Sequence, residues 1–358
     1  MEALRSAFAG GTLSKLEGLN VSDNPLGKVG VATLARGLSA SPQPLSLNTL
    51  RLSDTAAKSD GVIALSRPLK EGKTPSLQDL RLACNSVGAQ GVACLGEAVG
   101  AGTLSSLKIL VLKDNHIAKK SVNGAWDFSG LFVHLSNDFA ALEELDLSFN
   151  SLRGPEGDDN LVGPRPAFLI GEALSKGRLS AVRRLIIVFM YVRQGDGHSI
   201  ISALGAGKTP NVEVLHLPRL DPSCSQEVAS VMNSGHLAQL RELALNNQES
   251  VGCGVVARSI AKGGAPSLRS LTIRMEDPDG DVEMTLNGMT EALRGGHLKS
   301  LEEMELQLIA VNDSMPQTPM ANFGRALGKA SCLRRLSPSP SCRGMKTPTW
   351  VWEGSQRV

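Results

Sequence analysis

Aromatic residues are scarce. One tyrosine, three tryptophans and eight phenylalanines make up 3% of 358 residues, although 42% of the chain is hydrophobic. A single irregular core is ordinarily filled out by large rings. Leucine, valine and alanine must do the packing here, which suits many similar layers better than one core. Charge of one sign is lacking too. Lys and Arg number 37 against 35 Asp and Glu, a formal net charge of +2. That balance makes no electrostatic case for nucleic acid or an anionic membrane. The most apolar run, "LIIVFMYV" at 185–192, falls far short of the ~20 residues that cross a bilayer. "MEALRSAFAGG" at the start holds no extended apolar region of the kind a secretory signal carries.

Paired cysteines and catalytic signatures are also missing. The six cysteines, at 84, 94, 224, 253, 332 and 342, never form Cys-x-x-Cys. They read as free thiols in a reducing compartment, so a cytoplasmic setting is expected. Asn20 and Asn312 open Asn-x-Ser triplets, which without an export signal read as chance matches. The histidines, at 116, 134, 198, 216, 236 and 297, show no metal-ligand spacing. No G-x-S-x-G elbow, phosphate loop or H-E-x-x-H occurs. "DPDGD" at 277–281 has no glutamate to complete a calcium loop. The chain is therefore expected to be no enzyme and to need no cofactor or metal.

What is present is repetition. "LEGLNVSDN" (16–24), "LQDLRLACN" (77–85), "LKILVLKDN" (107–115) and "LEELDLSFN" (142–150) share the pattern L-x-x-L-x-L-x-x-N. Aligned on the first apolar position, the chain yields Leu16, Leu47, Leu77, Leu107, Leu142, Val182, Val212, Leu240, Leu268, Leu301 and Leu333, at intervals of 28–40 residues. Such a period means a solenoid of about eleven repeats. Apolar residues at +3 and +5, such as Leu80 and Leu82, alternate as a short strand does and are expected to face inward. A helical face follows each strand: Val31, Leu34, Ala35 and Leu38, then Val92, Leu95, Gly96 and Val99. Gly37, Gly102, Gly177, Gly207, Gly263 and Gly295 stand where helices are expected to stop. Pro68, in "SRPLK", predicts a kink or a short helix.

The +8 position is polar in the early repeats, with Asn24, Thr55, Asn85, Asn115 and Asn150 there. An amide turned inward satisfies backbone groups where a strand bends away. Gln248 stands there in a later repeat, and the pattern loosens toward the C-terminal half.

On these motifs the chain resembles the leucine-rich-repeat family, in its ribonuclease-inhibitor-like class, over roughly residues 1–336. The resemblance implies an α/β right-handed solenoid, or horseshoe, with parallel strands on the concave face and helices on the convex face. It further implies recognition of another protein along the concave face, by a scaffold or adaptor. Two other roles in the family stay open: a GTPase-activating or GTPase-regulating protein, and a ligand-sensing region of an innate-sensor-type protein.

Positions +2, +4 and +6 are the ones expected on the concave face. They supply a basic row of Arg51, Arg81 and Lys113, then the acids Glu144 and Asp146. Next come Ile186, Val188 and Val214, an apolar cluster flanked by Arg184 and His216. A mixed surface with an apolar centre is the anatomy of a protein-binding site. Two enlarged loops, 118–139 (with Trp126 and Phe128) and 153–166, flank the fifth repeat. Residues 337–358 are rich in Pro and Ser and are expected to be a disordered tail.

Overall fold

The computed structural model describes residues 1–117, 119–120, 126–127, 139–150, 166–187, 196–217, 222–248, 250–277, 282–310, 317–330 and 332–337. They form two compact bodies, Met1–Val214 and Leu215–Val358. Residues 338–358 of the expected tail, Phe128 in the first loop, 153–165 of the second and Val188 lie outside the described residues, while Ser337 belongs to the last strand.

The first body is a layer of short parallel strands: β1 (Gly18–Asn20), β2 (Thr49–Arg51), β3 (Asp79–Arg81), β4 (Ile109–Val111), β7 (Glu144–Asp146) and β8 (Arg184–Ile186). Each begins two residues after its alignment point. Equivalent positions pair directly, so Leu19, Leu50, Leu80, Leu110, Leu145 and Leu185 form one continuous row. Between the strands run α1 (Glu2–Ala9), α2 (Gly27–Ala40), α3 (Lys58–Lys70), α4 (Gly88–Gly100), α5 (Pro166–Ser175) and α6 (Asp196–Gly205). Neighbouring helices from α1 to α4 pack on one another, as do α5 and α6. Within the first enlarged loop, β5 (Lys119–Lys120) pairs antiparallel with β6 (Trp126–Asp127).

The second body repeats the plan with β10 (Glu242–Gln248), β11 (Ser270–Asp277), β12 (Glu303–Ala310) and β13 (Arg335–Ser337), in which Leu243, Leu271, Met304 and Leu336 are in register. Its helices are α7 (Pro222–Asn233), α8 (Ser250–Ala261), α9 (Val282–Arg294) and α10 (Gln317–Leu327), stacked in sequence order. One further strand, β9 (Val214–Leu217), carries the boundary between the bodies.

From the second repeat to the fifth the +3 and +5 side chains are sealed, with Leu50, Leu52, Leu80, Leu82, Leu110, Leu112, Leu145 and Leu147 all fully buried, whereas Leu19 and Val21 in the first repeat are only half-buried. The helix faces read from sequence, Val31–Leu38 and Val92–Val99, are buried as well. Pro68 does not shorten its helix. α3 runs 13 residues, as α4 does, because Pro68 lies in the last turn and forfeits a single intrahelical bond. Gly37 is no helix stop. It is buried inside α2, and a Cβ there would stand 2.8 Å from the Arg5 Cα, so glycine lets α1 approach. At the other mis-assigned stop, Gly296 rather than Gly295 takes the left-handed conformation.

The polar +8 position sets strand length. The Asn115 amide donates to Leu82 O (2.8 Å), Leu112 O (3.0 Å) and Lys113 O (3.2 Å). Its Oδ1 accepts from the backbone N–H of Asn85 (3.0 Å) and Val87 (3.3 Å). Asn85 and Asn150 make equivalent bonds one repeat earlier and one later. Each side chain thus stitches its own turn to the repeat before it. The preceding residue is left-handed every time: Asp23, Asp54, Cys84, Asp114 and Phe149, with φ between 50° and 59°. Strands β1 to β4 and β7 therefore end after three residues. In the second, Gln248, Glu276 and Ile309 stand at +8 and the backbone stays extended through them, so β10, β11 and β12 reach seven or eight residues.

Candidate functional site

Strand alternation turns +2 and +4 away from the helix layer, onto the open face of the sheet. The basic row is not a set of loose cations. Asp79, whose side chain is only 9% exposed, accepts from Arg51 (Nη2 2.7 Å, Nε 3.0 Å) and from Arg81 (Nε 2.9 Å). Register sets this up, because Arg51 pairs with Arg81 and Thr49 with Asp79 across β2 and β3. Lys113 lies with Nζ 5.0 Å from the centre of the Phe149 ring, a cation–π contact.

Beyond β4 further ion pairs cross between neighbouring strands. Arg184 Nε meets Glu144 Oε2 at 3.1 Å. Asp146 is used locally, its Oδ1 accepting from the backbone N–H of Ser148 at 2.9 Å. In the second body His216 Nε2 is 2.7 Å from Glu242 Oε1, and Arg274 holds Glu305 at 2.9 Å.

The apolar part is more sunken than expected. Ile109 and Ile186 are half-buried, while Val111 is only 7% and Val214 only 5% exposed. Short strands explain this: side chains on adjacent strands stand about 5 Å apart and shield one another. Ile186 and Val214 both lie in the first body and His216 in the second, and Val188 lies outside the described residues.

Phe149 was missed by sequence reasoning. It is 45% exposed, and a bulky side chain at φ 58° is a conformational outlier. Its signal was available: at +7 the other early repeats carry Asp23, Asp54, Cys84 and Asp114, and a phenylalanine there breaks the column. Cys84, exposed in that column, has its thiol pKa pushed upward by partial burial first and by Asp114 second.

Among the described residues, no group of three or more His, Cys, Asp or Glu could hold a metal ion, and no helix is long and apolar enough to cross a membrane. No curated protein matches the chain. A family model described as Leucine Rich repeat matches residues 12–35 and 74–96, the stretches that carry β1 and β3 with the turns and helix starts after them. With strand–helix repeats of the same build in both bodies, the chain has the leucine-rich-repeat solenoid fold.

Proposed function

We propose that this chain is a non-enzymatic scaffold or adaptor that binds another protein on the open face of its first body. The observation that carries the reading is Phe149, an exposed aromatic ring on a left-handed backbone, in cation–π contact with Lys113. Exposed aromatic residues are the commonest anchors of protein interfaces, and strained backbone gathers where a side chain must be presented. Around this anchor, Arg51, Arg81, Glu144, Asp146 and Arg184 form a polar rim fixed by ion pairs and hydrogen bonds. Val214 completes the candidate set on this body.

The test is recovery of partners from the native cell followed by crosslink mapping. Crosslinks are expected along β2 to β8. The variant Phe149→Ala, with its fold intact by circular dichroism, is expected to lose the partner. Crosslinks confined to the helices, with Phe149→Ala unaffected, would overturn the assignment.

A further inference from the structure

On the open face Asp79 faces two guanidiniums, those of Arg51 and Arg81. Glu302 is also shared, by Arg269 at 3.3 Å and Arg334 at 3.8 Å, yet that group sits at the strand-entry rim, in water. Asp79 differs because its carboxylate is nearly buried while Arg51 and Arg81 are 43% and 32% exposed. One arginine would neutralise a buried carboxylate. The second leaves a surplus positive charge at the strand position that pairs with the buried Val111. Arg81 binds Asp79 through Nε alone, so both its terminal nitrogens keep donors for another acceptor.

We propose that the Arg51–Asp79–Arg81 cluster is a preformed seat for an aspartate or glutamate side chain of an extended partner segment, with an apolar side chain of the same segment against Phe149. This rests on the protein-binding reading above and adds the partner's chemistry. Asp79 pins both guanidiniums before binding, which lowers the ordering cost that flexible arginines would otherwise carry. The charge count selects the ligand. One surplus positive charge matches a carboxylate, whereas a phosphoryl group brings about −1.5 to −2. The exposed acids Asp54 and Asp114 stand beyond the strand ends. They steer an entering carboxylate away from that rim and toward the arginines.

The experiment pans a random dodecapeptide display library against the purified full chain and then titrates one selected peptide. Selected sequences are expected to share an Asp or Glu at a fixed offset from a large apolar residue. The decisive variant is Arg51→Gln, which removes the surplus charge but leaves Asp79 paired with Arg81, so the fold is retained. It is expected to weaken the selected peptide at least tenfold. Replacing the peptide's acid by its amide should weaken wild type equally and change nothing further in the variant. Phe149→Ala is expected to weaken binding independently. Selected peptides without an acid that still depend on Phe149 would overturn the carboxylate seat and keep the open face as a binding surface. Peptides indifferent to both substitutions would overturn both.

Discussion

Replacing Asn115 by alanine tests the stitching between repeats most directly. The residue is fully buried and its side chain touches five backbone groups. The three carbonyls do not go unpaired. Leu82 O still receives the Asn85 amide, Leu112 O the Asn150 amide and Lys113 O the Cys84 N–H. The two N–H groups, of Asn85 and Val87, lose the Asn115 Oδ1 that accepts from them. A buried donor left unsatisfied costs about 1–3 kcal/mol, and the void left by the amide adds to that. The expected loss is about 3–5 kcal/mol. Asn24→Ala is the control, because Asn24 is exposed and donates only to Val21 O and Ser22 O. It should cost about 0.5 kcal/mol or less. Asn115→Thr, which copies the residue at Thr55, should fall between them. Urea unfolding followed by far-ultraviolet circular dichroism measures all three, provided the slopes agree. Equal losses for Asn115→Ala and Asn24→Ala would refute the idea that this position couples repeats.

Four further expectations follow from the same geometry. Leu110→Ala should cost about 2–5 kcal/mol, and Val111→Ala, on the opposite face but still largely buried, about 1–2 kcal/mol in urea titrations; the reverse order would mean an inverted strand register. Lys58 holds φ 55° where Gly27 and Gly88 stand in neighbouring repeats, so Lys58→Gly should stabilise by about 0.5–1 kcal/mol and raise the melting temperature. Gly171→Ala would set a Cβ 2.3 Å from Ser199 O, between α5 and α6, and should destabilise by about 1–3 kcal/mol in the same melting assay. Burial pushes the Cys253 thiol up to about 12. At pH 8, alkylation read by mass spectrometry should therefore mark the exposed Cys84 and spare Cys253 until the chain unfolds.

The repeat was legible because its determinants are local and recur. Apolar residues at 0, +3 and +5 placed β1 to β4, β7 and β8, and the asparagines at 24, 85, 115 and 150 announced the turns that follow β1, β3, β4 and β7; the β5–β6 pair lies outside the repeat and was not foreseen. The longer strands β10 to β12 follow from the same logic in negative, since Gln248, Glu276 and Ile309 do not turn the chain. What stayed illegible depends on neighbours across repeats. Nothing in "RLS" or "LRLAC" says that Arg51 and Arg81 converge on one carboxylate. That requires knowing the register of β2 on β3. Val111 and Val214 were read as exposed from alternation alone, which tells the face a side chain leaves by and not how far its flanking side chains cover it. Gly37 was read as a stop because its other use, room for α1, is invisible until two helices meet.

The asparagine stitching also bears on how such a chain can change length. Asn85 and Asn115 each carry the same connector: an amide addressed to the preceding repeat's +5 carbonyl and an oxygen addressed to its +8 and +10 amides. The addresses do not depend on which repeat comes first. Excising residues 77–106 would bring Asn115 against Thr55 and Ala57, groups that already dock on an asparagine of the same kind. In this stretch whole repeats are interchangeable parts, free to be duplicated or lost by recombination without redesigning the joint. In the second body the strands run on through +8, and a deletion there would have to re-establish seven or eight residues of pairing at once.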